Sequence, residues 1–536
     1  MRSINRVLAM VAVALIIAGC GKEPNPGWDQ PLEPEGPVMM QHGVVYLNQA
    51  FEELLVLRPQ IEDEAALLEI DRVETGAIPV QMERSENGRS LYVVNRDDQT
   101  LSVFDIGPEE IERSDVEIDG AYDQITVDPE GEFLLLSHSG EAPDTIMQNV
   151  NEVAIVDLRG GVPQGVQVLT LPTQADNLKF IPPFQLDGTS ERLAVALATN
   201  VVAIIDLNAT EDYDRVRRAP LTTRQSDELK PTDVVFNPPT SERPHQASLF
   251  ILEATSDDVT EIVLQPSTRE DEHRRLAPTF NQLAAGNRPH HIAVLELNPG
   301  GDRQARRLFA LDAEQPQFTL VDVDSGESVT FDLPMSSPAD GMEVFSIEVP
   351  GENRVEKRIL VYSHNSQLVA TIRPESISVG SDTPTLGQTI QEMRLSAPPS
   401  QLIMAEGSNP DRAVALHGGG QEGATVLNLE ANQNWWLSGF NPSQMVLDGR
   451  TAYGIFNNTS HMVRVNLESG QTTSFALPDR GRALFLSPDK ESILVRHDGV
   501  DGRFTLLPRD TLRPDNARLY EHVFVGGILD HEAIDE

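Results

Sequence analysis

Cysteine is all but missing: Cys20 is the only one in 536 residues, so no intramolecular disulfide can form and the chain must hold itself together by packing. Lysine is nearly as scarce. Five (Lys22, Lys179, Lys230, Lys357 and Lys490) stand among 41 basic residues, against 83 acidic ones. A surface so short of positive charge repels nucleic acid and anionic headgroups, which excludes both as partners recognised by charge. The same bias fits a saline habitat, where screening tolerates self-repulsion, and equally a GC-rich genome that exchanges lysine for arginine. No run suits a permanent transmembrane helix, which needs roughly 20 apolar residues; the run at 7–18 has twelve. Credible helices are few, the best candidate being a short one at 62–68.

What is present begins with a secretory signal. Arg2 and Arg6 precede the apolar run, and "IAGC" ends it at Cys20. These four residues resemble the lipobox of bacterial lipoproteins. The resemblance implies cleavage before Cys20 and a diacylglycerol on its sulfur, with small Ala18 and Gly19 fitting the protease groove. Several acyl chains on one residue exceed the single chain that binds membranes only marginally, so the anchor is expected to be stable. Gly21, where the enterobacterial sorting rule would need aspartate for retention, implies the outer membrane. Loss of Arg2 and Arg6 leaves 39 basic residues against 83 acidic ones, a formal charge of −44. Residues 20–37, rich in proline, glycine and acid, read as a flexible tether from the lipidated cysteine.

Beyond the tether the chain alternates in strand fashion and repeats itself. "DQITVDPEGEFLLLSHSG" with "NEVAIVDL" is one unit, and "SQMVLDGRTAYGIFNNTSHMVRVNL" is another. Related passages begin near Ile78, Asn177, Thr232, Pro289, Gly341, Ser400 and Ala483, giving nine registered units, with a weaker tenth at 38–57. Most units add a fourth alternating segment, such as "VQVLTLP", "ESVTFDLP" and "QTTSFALP". Four short antiparallel strands per repeat make a propeller blade, whose two faces are covered only by neighbours in a ring. "ENGRSLYVVNRDDQTLSVFDI" at 86–106 matches best, and "DPEGEFLLL", "RPHHIAVLELNPGG" and "LSPDKESILV" match in part, a cadence that resembles YVTN-type and lactonase-like bacterial β-propellers. The WD40 pattern is disfavoured, since no unit carries its Gly-His and Trp-Asp pair.

The expected fold is therefore all-β, a single β-propeller of four-stranded antiparallel blades over 38–525. It follows a signal peptide at 1–19 and precedes an acidic tail at 526–536. Because propellers ordinarily close with four to eight blades, the expectation is seven or eight. The surplus units would then be decoration, or terminal pieces combined in one blade.

The second strands end on Asn95, His138, Thr199, Glu253, Asp312, His364, His417, Asn457 and His497. A closed ring would deliver these groups to one end of the channel, where they are expected to bind a ligand. His461, His290 and His291 fall on the same end, so seven of the twelve histidines map there. His138, His364, His417 and His497 could hold a divalent transition metal such as zinc. Against that stand the polarity usual at strand ends and the lack of any short-range ligand spacing. "RPHHIAV" resembles the start of a blade in lactonase-like propellers, and this likeness would make His291 a substrate contact; the other acid and base groups of that family find no place. "HGGG" at 417–420 looks like an esterase oxyanion loop, but no G-x-S-x-G nucleophile elbow exists to serve it. "DLNATEDYD" and "DVDSGE" lack EF-hand spacing and read as solvated turns. Trp435 and Trp436 fall in a fourth strand, as an outer contact patch or with one ring in the core. No catalytic set emerges. The expected function is a monomeric binding module without a cofactor, anchored in the outer membrane by its lipid and taking an envelope protein or a small molecule at the channel mouth. A metal-assisted hydrolase using the histidines with Glu253 or Asp312, and an envelope scaffold, are the alternatives.

Overall fold

The computed structural model describes residues 34–62, 65–139, 149–159, 163–209, 215–222, 229–266, 276–297, 305–349, 354–377, 389–405, 411–417, 423–438, 442–456, 459–487, 490–499, 502–509, 517–521 and 523–524. Among the described residues forty strands form ten separate four-stranded antiparallel sheets. Each sheet is a meander of consecutive strands. The blades span 35–74, 79–117, 124–170, 177–220, 231–284, 289–332, 341–394, 399–438, 444–476 and 481–520, numbered here 1 to 10. No helix among the described residues is long and apolar enough to cross a membrane.

Strand alternation explains how the sheets stack. In the second strand of blade 1 (Gly43–Asn48), Val44 and Tyr46 point toward blade 10, while Val45 and Leu47 point toward blade 2. In the second strand of blade 2 (Ser90–Asn95), Leu91 and Val93 face blade 1, and Tyr92 and Val94 face blade 3. With both faces covered, a second strand must be apolar at every step rather than every other step, hence runs such as "FLLLS" and "RAVALH". Ten apolar clusters result, one in each seam between neighbouring blades. The cluster joining blade 10 to blade 1 closes the circle.

Closure uses no strand exchange, because blade 1 and blade 10 each own four consecutive strands. The chain just past blade 10 supplies a wedge instead. Phe524 is fully buried and meets Tyr46 of blade 1 at 5.2 Å and Phe504 of blade 10 at 5.5 Å, both edge to face. The Arg496 guanidinium lies over the Phe524 and Tyr46 rings. Arg72 of blade 1 donates to the Val523 carbonyl at 3.0 Å, and the Tyr520 hydroxyl accepts the Leu68 N–H at 2.8 Å.

Two expectations are corrected here. The ring has ten blades, not seven or eight: the weak unit at 38–57 is a complete blade, and no terminal pieces combine. Each meander is complete in four consecutive strands and presents two apolar faces, so nothing local limits the ring to eight. The stretch at 62–68 is not a helix. It belongs to a hairpin of two strands, Glu53–Glu62 and Ala65–Glu74, paired Glu62 to Ala65. Helix-favouring alanine, leucine and glutamate are overridden by a sheet edge that offers hydrogen bonds to a fourth strand. The first strand also starts earlier than expected, at Glu35.

Candidate functional site

First strands of successive blades approach one another around the axis, so they line the channel and the fourth strands form the rim. The upper end of the channel is where first strands begin and second strands finish. Five first strands carry an irregularity there: Pro79, Pro231, Pro289, Pro399 and Gly481 pair with Asn95, Glu253, Asp312, His417 and His497, and the next residue is skipped. The bulge draws the linker across the end of the second strand, which buries its last side chain.

These last side chains act within their blades. Asn95 donates to Ser102 at 2.8 Å, and Ser102 donates to Asp115 at 2.6 Å, linking strands two, three and four. Gly76 leaves room for this amide, since a Cβ there would meet Asn95 Cγ at 2.7 Å. Glu253 accepts from Thr260 at 2.8 Å, and Asp312 accepts the backbone N–H groups of Glu314 and Gln315 at 2.7 and 2.9 Å. His417 and His497 repeat one geometry. Nδ1 faces a carbonyl of the incoming linker, Pro398 at 3.3 Å or Arg480 at 3.0 Å, and Nε2 meets a third-strand hydroxyl, Thr425 at 2.8 Å or Thr505 at 2.6 Å. A neutral imidazole satisfies both contacts, donating through Nδ1–H and accepting through Nε2. Burial holds both imidazoles below the ordinary histidine range, and it raises the Glu253 carboxyl despite the Thr260 hydrogen bond.

The remaining expected residues are distributed differently. His138 is buried, stacked on Tyr122 at 4.8 Å, and its pKa is lowered by burial. In blade 7 the buried position belongs to Ser363, whereas His364 is exposed with Nδ1 at 2.9 Å from the Pro399 carbonyl. Thr199 is half-buried just past Ala198, which ends the second strand. Asn457 lies outside the described residues, as do the glycines of "HGGG" at 418–420. His461 is exposed at the start of a third strand, His461–Asn466. His290 and His291 reach from blade 6 to the linker of blade 7, through Nε2 contacts to the Ala339 carbonyl at 2.8 Å and the Asp340 carbonyl at 2.9 Å. His138, His364, His417 and His497 thus stand in blades 3, 7, 8 and 10, and among the described residues no three His, Cys, Asp or Glu side chains come together as a metal site. Trp435 and Trp436 are both half-buried in the fourth strand of blade 8, with Trp436 at 5.3 Å from His417.

Two features escape a reading of second strands alone. First, first strands are sheet edges with unpaired backbone groups facing the channel, and side chains strap them together. Gln81 accepts the Ile125 N–H at 2.8 Å; Gln444 accepts the Leu484 N–H at 2.8 Å and donates to its carbonyl at 3.2 Å; Lys179 donates to the Val234 carbonyl at 2.9 Å. Second, a concave space lies at the lower end, beside the turns between first and second strands. A cavity of about 700 Å³ opens there, walled by blades 8, 9, 10, 1 and 2. Its wall includes Met39, Met404, Val446, Phe485 and Leu486, with Arg84, Asn87 and Lys490 at the turns. In blades 1, 2, 8 and 10 the residues four or five steps past the blade's start line it, and in blade 9 the residues Gln444 to Leu447 do.

A scan against protein-family models finds no match. No curated protein matches in sequence either. Among solved structures there are matches at low identity and low TM-score. A dihydro-heme d1 dehydrogenase, NirN in complex with DHE, is 12% identical with a TM-score of 0.38 over 84% of this chain and 74% of its own. A eukaryotic initiation factor is 11% identical with a TM-score of 0.42, over 89% and 93%. The Cps50 (Swd1) β-propeller domain of Myceliophteria thermophila is 11% identical with a TM-score of 0.28, over 75% and 97%. Nothing about activity passes from these proteins to this chain.

Proposed function

We propose that this protein is an exported, lipid-anchored β-propeller that works as a binding module, taking a small molecule or a segment of an envelope protein into the lower end of its channel. The observation that carries this reading is the cavity of about 700 Å³, a size within the ordinary range of ligand sites. Its walls come from five blades, so a ligand there touches residues hundreds of positions apart. The upper-end residues Asn95, Glu253, Asp312, His417 and His497 serve this module as latches that keep the blade ends in register. The catalytic alternative has no His, Cys, Asp or Glu cluster to draw on among the described residues.

The chain's direction supports a consistent placement at the membrane. Blade 1 begins with the first strand Glu35–Met40, which starts at the upper end beside the channel. A tether from a lipidated Cys20 therefore joins the upper face and leaves the cavity facing away from the bilayer. Residues 21–34 span at most roughly 50 Å, enough to hold the ring just off the surface. Cys20→Ser should abolish incorporation of labelled palmitate and shift the protein from the membrane to the soluble fraction; palmitate labelling that survives the substitution contradicts the anchor. For the site, the neutral apolar dye Nile red should bind the full chain with enhanced fluorescence and lose that binding in Met404→Asp. Equal binding by the two proteins rules out the cavity as the binding site.

A further inference from the structure

The lower cavity is unusual in two ways that bear on what it takes. Methionine is rare in the chain, at twelve of 536 residues, yet Met39, Met40, Met404 and Met445 all line this one space. Unbranched thioethers make an adaptable apolar wall that conforms to flexible hydrocarbon. The second feature is charge. In a chain of formal charge −42, the lining among the described residues contains Arg84 and Lys490 and no carboxylate. Arg84 is exposed and has no ion-pair partner among the described residues. Lys490 lies 3.3 Å from Asp448, which Arg509 also contacts at 2.8 Å, so Arg84 is the cation of the lining left to meet a ligand. Positive potential beside an apolar wall, inside an acidic molecule, selects for an anionic head on an apolar body.

We propose that the cavity binds an amphipathic carboxylate of the fatty-acid class, its chain against Met39, Met404 and Phe485 and its carboxylate toward Arg84. This rests on the reading of the cavity as the module's binding site. The head is held by charge-assisted hydrogen bonds from a guanidinium able to donate two in parallel. The chain gains from leaving water in proportion to the apolar area it buries.

The test displaces Nile red from the full-length protein with laurate or with dodecyltrimethylammonium, which share a chain length and differ in the sign of the head, each below its micelle concentration. Laurate should compete at least roughly tenfold better, and Arg84→Gln should weaken laurate by roughly tenfold more than it weakens dodecyltrimethylammonium. Equal competition by the two amphiphiles, or an Arg84→Gln protein that holds laurate as well as the parent, overturns the carboxylate assignment and leaves the cavity standing as an apolar site. Failure of Nile red to bind the parent overturns the site and this proposal together. Met39→Gln serves beside Met404→Asp in case the buried charge prevents folding, and a parent-like melting temperature shows that either variant is folded.

Discussion

The His497 side chain is fully buried between an Arg480 carbonyl and the Thr505 hydroxyl, and both contacts suit a neutral ring. Burial lowers the pKa of His497, His417 and His138 alike. The unfolded chain then takes up protons near the ordinary histidine value of about 6.5, while the folded chain resists them. Stability is full above that value and declines as pH falls through it toward the lower folded values. The raised carboxyls Glu253, Asp128 and Asp206 act in the opposite sense, but only as pH approaches the carboxylate range. The melting temperature is expected to drop between pH 7.5 and 5.5, with a shallower drop in His497→Gln; an unchanged slope would show that this imidazole is not held neutral. Thr505→Val leaves a buried ring nitrogen without its donor and should lower stability by about 1–3 kcal/mol in urea denaturation. That strand ends carry these polar groups was legible in the sequence. Their inward direction was not, because one step along a strand reverses a side chain, and it separates buried Ser363 from exposed His364.

Second strands were the most legible elements, since burial on both faces leaves an unbroken apolar run that few other segments share. Fourth strands were next, with alternate residues exposed at the rim, as in "SVTFD" of blade 6. The fourth strand of blade 1 was misread, for its "AALLEIDRVE" satisfies a helical pattern as well as a strand pattern, and only the waiting edge of the third strand settles it. The wedge after blade 10 left no sequence signal, because the apolar run "VFV" at 523–525 is too short to read as a strand. Its structural role is large. Phe524→Ala removes a ring packed between blades 1 and 10 and should cost about 3–5 kcal/mol. Phe51→Ala, at a ring 39% exposed in a turn of blade 1, should change stability by no more than about 0.5 kcal/mol. Comparable losses from the two substitutions, measured by denaturant midpoints, would remove the wedge from the closure.

At the scale of the whole molecule the repeat count in the sequence was sound, and a general habit of propellers displaced it. Nine strong units and one weak one are ten blades, and the outer hairpin of the weak one, Glu53–Glu62 with Ala65–Glu74, is long and reads partly as helix. A ring of ten widens the channel beyond that of smaller propellers, which leaves room for a cavity bounded by five blades. The lower end was not anticipated because attention to histidines points upward, whereas the lower wall is written in methionine and branched aliphatics.

Ring closure is the claim on which the cavity, the latches and the wedge all depend, and paired spin labels measure it directly. In the full chain with Cys20→Ser, one label at Glu74→Cys at the rim of blade 1 is paired in turn with Glu117→Cys, Thr170→Cys, Asp332→Cys, Arg394→Cys and Ala476→Cys, the last residues of the fourth strands in blades 2, 3, 6, 7 and 9. The distances should rise to a maximum at blade 6 and fall again toward blade 9. A continued rise through blade 9 would mean an open row of sheets and would contradict the ring.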